Sequence, residues 1–244
     1  MGMLDGRIAL VTGAGQGVGQ GIALALAAEG ARVAVTGRTL AKVEQSAALI
    51  AERGGEALAL ACDVKDPAAL EHIVSATVAR FGGLNILVNN AQEVPLGTLH
   101  DLTDARIEAG WASGPMATFR LMKLCHPHLK GDGSIVNLAS SAAMRWDMSG
   151  YGAYAAVKDA IRQFTRAAAC EWGTDNIRTN VILPHATSPG LKGWIDANPA
   201  EAQAFFATIP MRQVGDCEAD IGRFVAMLCS PACHYVNGQS IALD

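Results

Sequence analysis

RIALVTGAGQGVG, residues 7–19, runs an apolar segment straight into a cluster of glycines. Arg7–Thr12 is too short and too apolar for an amphipathic helix and reads as a buried strand. Thr12-Gly13-Ala14-Gly15-Gln16-Gly17-Val18-Gly19 then reads as a tight turn opening a helix over Gly17–Gly30. A helix start exposes backbone N–H groups and a partial positive charge, so a diphosphate can settle there. Side chains at Gly13 or Gly17 would block that approach, and Gly19 lets the helix pack against the sheet. A strand, glycine turn and helix in this order point to a dinucleotide.

Working outward, apolar runs alternate with helical patterns. Strands are expected at Arg32–Thr36, Ala57–Cys62, Leu84–Asn89, Ser134–Ala139, Arg178–Leu183 and Ser240–Leu243. Helices are expected at Leu40–Arg53, Pro67–Phe81, Asp101 to about His128, Gly152 to about Trp172, and Ile221–Leu228. Leu191–Thr208 reads as an irregular insert with one short helix. Strict βα alternation with near-continuous Val/Ile/Leu strands implies a parallel sheet between two helix layers. The fold class is therefore α/β, a Rossmann-like doubly wound domain. With no linker in view, residues 1–244 are taken as one domain, with a substrate lid at about 184–208.

The second strand's end bears on the choice of nucleotide. A carboxylate there would hold the adenosine ribose and repel a 2′-phosphate. Here Gly37 takes the acid's place and Arg38 follows. A guanidinium matches phosphate geometry, so NADP is expected over NAD.

Tyr154-Ala155-Ala156-Val157-Lys158 places a phenol and an ammonium one helical turn apart. A free phenol has a pKa of about 10 and is a poor base at neutral pH. A neighbouring cation favours phenolate and is expected to bring it toward a useful range. Ser140 sits where the fifth strand ends, which is where parallel sheets bind ligands, and can orient a substrate oxygen. Ser141 is the alternative.

With these residues assembled, the chain resembles the short-chain dehydrogenase/reductase family over nearly its whole length. Thr12–Gly19 resembles the family's T-G-x-x-x-G-x-G, Asn89-Asn90-Ala91 its N-N-A stretch, and Ser140, Tyr154 and Lys158 its catalytic triad. The resemblance implies seven parallel strands and a homotetramer or homodimer. It implies that Asp63 and Val64 contact adenine and that Lys158 also holds the nicotinamide ribose. It brings Asn90, Ala91, Pro184 and His185 to the cofactor, with Thr12, Gly13, Gly15, Gln16, Gly17, Val18 and Gly19. The function implied is hydride transfer between NAD(P) and a ketone or secondary alcohol.

Three positions depart from that family. Gln92 stands where the N-N-A stretch is usually followed by glycine. Gly114 stands where a catalytic asparagine is common, and Gly114-Pro115 predicts a kink. His185 replaces the glycine after Pro184. These departures motivate a second reading, a dinucleotide-binding sensor or subunit with little turnover. The retained Ser140, Tyr154 and Lys158 favour the enzyme.

Bulk properties exclude other classes. The 244 residues carry a net charge of −4 with the signs interspersed, so no basic stripe suggests nucleic acid. No apolar run approaches a membrane span, and Asp5 and Arg7 come too early for a signal peptide. The six cysteines include no C-x-x-C pair and are expected to be free thiols in a reducing cytoplasm. His126-Pro127-His128 lacks companion ligands, so no metal is expected. Arg145, Trp146, Met148 and Trp194 are candidates for an apolar substrate pocket.

Overall fold

The computed structural model describes residues 2–144 and 150–244. Arg145, Trp146 and Met148 lie outside the described residues.

Ile8–Thr12 forms β1, Arg32–Gly37 β2, Ala57–Ala61 β3, Ile86–Asn89 β4, Gly133–Leu138 β5, Ile177–Pro184 β6 and Ser240–Leu243 β7. All pair in parallel, in the order β3-β2-β1-β4-β5-β6-β7. β1, β4 and β5 are buried along their whole length. The edge strands β3 and β7 are only partly covered, which their positions explain.

Gly17–Ala28 (α1), Leu40–Glu52 (α2) and Arg223–Cys229 (α9) cover one face. Pro67–Phe81 (α3), Asp104–Trp111 (α4), Ala117–Leu129 (α5) and Gly152–Trp172 (α6) lie on the other side. Two apolar cores fill the layers. Val11, Ile22 and Val35 belong to the first, and Leu10, Leu87 and Leu121 to the second. Strand order reverses between β1 and β4, which opens a crevice at their carboxyl ends.

Two expectations need correction. The helix expected from Asp101 to about His128 is α4 and α5 joined by a π-helical turn, Ala112–Met116. Pro115 has no N–H and its ring crowds the preceding turn, which disfavours a regular α-helical turn here. The chain widens by a residue here. The insert expected to hold one short helix holds two, Pro189–Ala197 (α7) and Pro199–Phe206 (α8). Ser188 caps α7, its Oγ accepting from the Leu191 N–H at 3.2 Å. Pro199 ends that run and starts the next, because proline suits a first helical turn and not an interior.

Candidate active site

Thr12 is buried behind the glycine turn, where it acts as a staple. Its Oγ1 accepts from the N–H groups of Asn90 and Ala91 at 3.0 and 3.1 Å. Asn90 Nδ2 donates in turn to the carbonyls of Thr12 and Gly13, at 2.9 and 3.1 Å. These bonds lock the end of β4 against the turn. Gly13 and Gly17 have φ of +65° and +60°, which side chains disfavour. A Cβ on Gly13 would lie 2.6 Å from Asn90 Nδ2. α1 begins without a side-chain cap or an acidic residue in its first turn, so its positive end is left for an anion.

A cleft of about 580 Å³ runs from this turn to Tyr154. Gly13, Gly15, Gln16, Gly17, Val18 and Gly19 form one wall, and Arg38, Asp63, Val64, Asn90 and Ala91 line the part beyond the ends of β2, β3 and β4. Ser140, Tyr154, Lys158 and Pro184 close the other end. The shape, the bare backbone and the uncapped helix fit an NAD(P). Thr12 supports this lining without joining it, and so does His185. The His185 ring meets Ser141, with Nε2 2.7 Å from Oγ, and stands edge-on to Phe205 at 5.8 Å.

Tyr154 and Lys158 point the same way from α6. Lys158 Nζ lies 5.6 Å from the centre of the Tyr154 ring and donates to the Leu138 carbonyl at 2.7 Å. Tyr154 shares a side-chain hydrogen bond with Ser140. The two serines thus divide, one to the phenol and one to His185.

The electrostatics differ from the sequence expectation. Burial pushes the Tyr154 phenol up to about 12, against a smaller lowering by Ser140. Burial also pulls the Lys158 ammonium down to about 7. Desolvation penalises both charged forms and sets both directions. A phenol held neutral is a poor resting base and a good proton donor.

Sequence reasoning passed over several residues that shape the cleft. Lys42 Nζ donates to Gln16 Oε1 at 2.7 Å. Its place one turn beyond Arg38 was a readable signal. Glu93 lines the cleft and pairs with Arg38 Nη1 at 2.9 Å. Gln92 inserts its carboxamide into the π turn, where Nε2 donates to the Gly110 carbonyl at 2.9 Å. In a π turn that carbonyl would await the N–H of residue 115, and Pro115 has none. Nothing local in the sequence marks those contacts. His126 bonds Asp175 at 2.8 Å and packs against Trp172.

These features recur in known proteins. The family model described as enoyl-(acyl carrier protein) reductase matches residues 13–244. A 12alpha-hydroxysteroid dehydrogenase from a Clostridium species is 37% identical over 253 residues, covering 100% of this chain and 97% of the relative. The chain belongs to the short-chain dehydrogenase/reductase family. A solved short-chain dehydrogenase from Burkholderia cenocepacia J2315, in complex with NADP, matches with a TM-score of 0.92 and 33% identity, covering 99% of this chain and 98% of that one. A 7α-hydroxysteroid dehydrogenase complexed with NADH and 7-oxo glycochenodeoxycholic acid matches at 0.92 and 31%, covering 98% and 93%. As a short-chain dehydrogenase/reductase, the chain is an NAD(P)-dependent oxidoreductase of CH–OH and C=O groups.

Proposed function

We propose that the chain is an NADP-preferring carbonyl reductase or alcohol dehydrogenase, with Tyr154 as its proton donor and acceptor. The carrying observation is the Ser140–Tyr154–Lys158 cluster at the end of the dinucleotide cleft. The nicotinamide of a bound NAD(P) supplies or accepts the hydride. Ser140 holds the substrate oxygen beside the phenol. In reduction Tyr154 gives its proton to that oxygen, and in oxidation it takes the proton back. Lys158 stabilises the phenolate left after donation and holds the nicotinamide ribose hydroxyls. Arg38, exposed at the adenosine end, supports the NADP preference.

Residues 1–244 act as one domain, with 184–208 as the substrate lid. Trp194 and Phe205 of α7 and α8 stand edge to face at 6.0 Å, giving that lid an aromatic face. Ring-bearing ketones and secondary alcohols suit such a face, and the hydroxysteroid dehydrogenase relatives support this class. Trp111 of α4 and Phe119 of α5 are large exposed apolar groups that assembly into a dimer or tetramer would cover. The described helices include none long and apolar enough to cross a membrane, and we place the enzyme in the cytoplasm.

The test follows nicotinamide absorbance with NADPH and NADH across a panel of cyclic ketones and their alcohols. Turnover with NADPH favoured supports the reading. Tight NADPH binding without turnover on any member contradicts it.

A further inference from the structure

Arg38 follows β2, Lys65 follows β3 and Glu93 follows β4, so strands on either side of β1 bring them together beside the cleft. Their heads converge on one atom. Glu93 Oε1 lies 2.9 Å from Arg38 Nη1 and 2.7 Å from Lys65 Nζ. The Glu93 backbone is anchored, its N–H donating to Ser113 Oγ at 2.9 Å in the π turn. Its carboxylate is therefore held over the adenosine end and does not wander on a free loop.

Two cations closing on one carboxylate oxygen make an oxyanion site already filled by a side chain. The filling is weakly held. All three side chains are partly exposed, Arg38 most of all at 64%. Ion pairs of that exposure contribute little, because solvent screens them. A phosphate monoester carries roughly −1.5 to −2 at neutral pH and three acceptor oxygens, against one charge on Glu93. It can bond both cations at once, and charge-assisted bonds of that kind are the stronger sort.

Building on the NADP preference read above, we propose that Lys65 is a second cation for the 2′-phosphate. In the same proposal Glu93 is an internal anion that occupies the phosphate's place and competes with it. Only the conformer with Glu93 withdrawn binds the phosphate, so the apparent affinity for NADPH falls by the fraction withdrawn. NADH needs no phosphate site and escapes that loss. Glu93 thereby sets the NADPH-to-NADH ratio from a strand end far in sequence from Arg38.

The experiment measures dissociation constants of NADPH and NADH by fluorescence titration, for the full chain and for Glu93→Gln, Lys65→Met and Arg38→Ala. Glu93→Gln is expected to tighten NADPH about three- to tenfold, from release of a weak ion pair and its charge, and to leave NADH unchanged. Lys65→Met is expected to weaken NADPH about tenfold and spare NADH, in keeping with a charge-assisted bond. In the Glu93→Gln/Lys65→Met double variant, much of the Glu93 effect should vanish. Unchanged NADPH affinity in Glu93→Gln overturns the competition. A loss of NADH affinity there also overturns it, because the carboxylate would then be a ribose ligand. Equal losses of both nucleotides in Lys65→Met overturn the second cation. Equal losses in Arg38→Ala instead defeat the NADP preference itself, which separates the two failures.

Discussion

The carboxamide of Gln92 fills the space that a Cβ on Gly114 would occupy. Such a Cβ would lie 2.7 Å from Gln92 Cδ and overlap the amide atoms beyond it. The two departures from the family pattern at these positions are thus one feature. Glycine at 114 makes room, and glutamine at 92 gives the Gly110 carbonyl its shorter side-chain bond, beside Ser113 Oγ at 3.4 Å, where Pro115 has no N–H to offer.

Gly114→Ala alone should destabilise by about 1–3 kcal/mol through overpacking. Gln92→Gly alone should cost about 0.5–1.5 kcal/mol by removing the shorter of two side-chain bonds to the Gly110 carbonyl. Combined, the new methyl enters the vacated space, and the double variant should be more stable than the sum by about 0.5–3 kcal/mol. Urea unfolding midpoints of the four proteins measure this. Strict additivity would show that the two side chains do not share that space.

Ser140 and Ser141 should separate cleanly. Ser140→Ala removes the group beside the phenol and should lower kcat by about 10²–10³, as for other lost oxyanion donors. Ser141→Ala removes a bond to His185 and should cost about fivefold or less, the worth of one ordinary hydrogen bond. Steady-state kinetics on the best ketone decides it. The reverse ranking would move the catalytic role to Ser141.

Lys158 links stability to pH. Its folded pKa, about 7, lies below the usual 10.5 of an unfolded lysine. Between those values the unfolded chain binds more protons, so stability rises with pH across that window. Lys158→Met lacks this dependence. Relative to the parent, its Tm should stand highest near pH 7 and lose that advantage as pH approaches 10.5. Tm curves that run parallel across the range would mean the ammonium is not desolvated.

Tyr154 sets an asymmetry between directions. With a phenol near 12, the proton donor for reduction persists through neutral pH. Oxidation needs phenolate, and kcat/KM for NADP⁺ reports the free enzyme. Because Lys158 loses its proton at about 7, the phenolate–ammonium pair keeps a constant population above that pH, so the parameter should rise to about pH 7 and then level off. A slope near one on logarithmic axes that continues to about pH 10 would show that oxidation needs the phenolate alone and not the Lys158 ammonium beside it.

The regular parts of this fold were legible because burial writes itself into composition. β1, β4 and β5 sit between two helix layers and read as unbroken apolar runs. α3 starts at Pro67 as expected, with the Asp66 carboxylate accepting from the Ala68 N–H at 2.9 Å. The π turn was half legible. Pro115 signalled an interruption, but its form depends on Gln92, eighteen residues before Gly110. The split insert was readable in hindsight from Pro189 and Pro199, each opening a helix. The Tyr154–Lys158 spacing gave the juxtaposition. It could not give the pKa directions, because those follow from how deeply α6 is covered.

Single-turnover oxidation of bound NADPH by a ketone, compared between the parent and Tyr154→Phe, weighs the catalytic assignment most directly. The phenylalanine variant should bind NADPH as the parent does and lose rate on the order of 10²- to 10⁴-fold. A rate within a few-fold of the parent would contradict it, since the proton would then come from some other group.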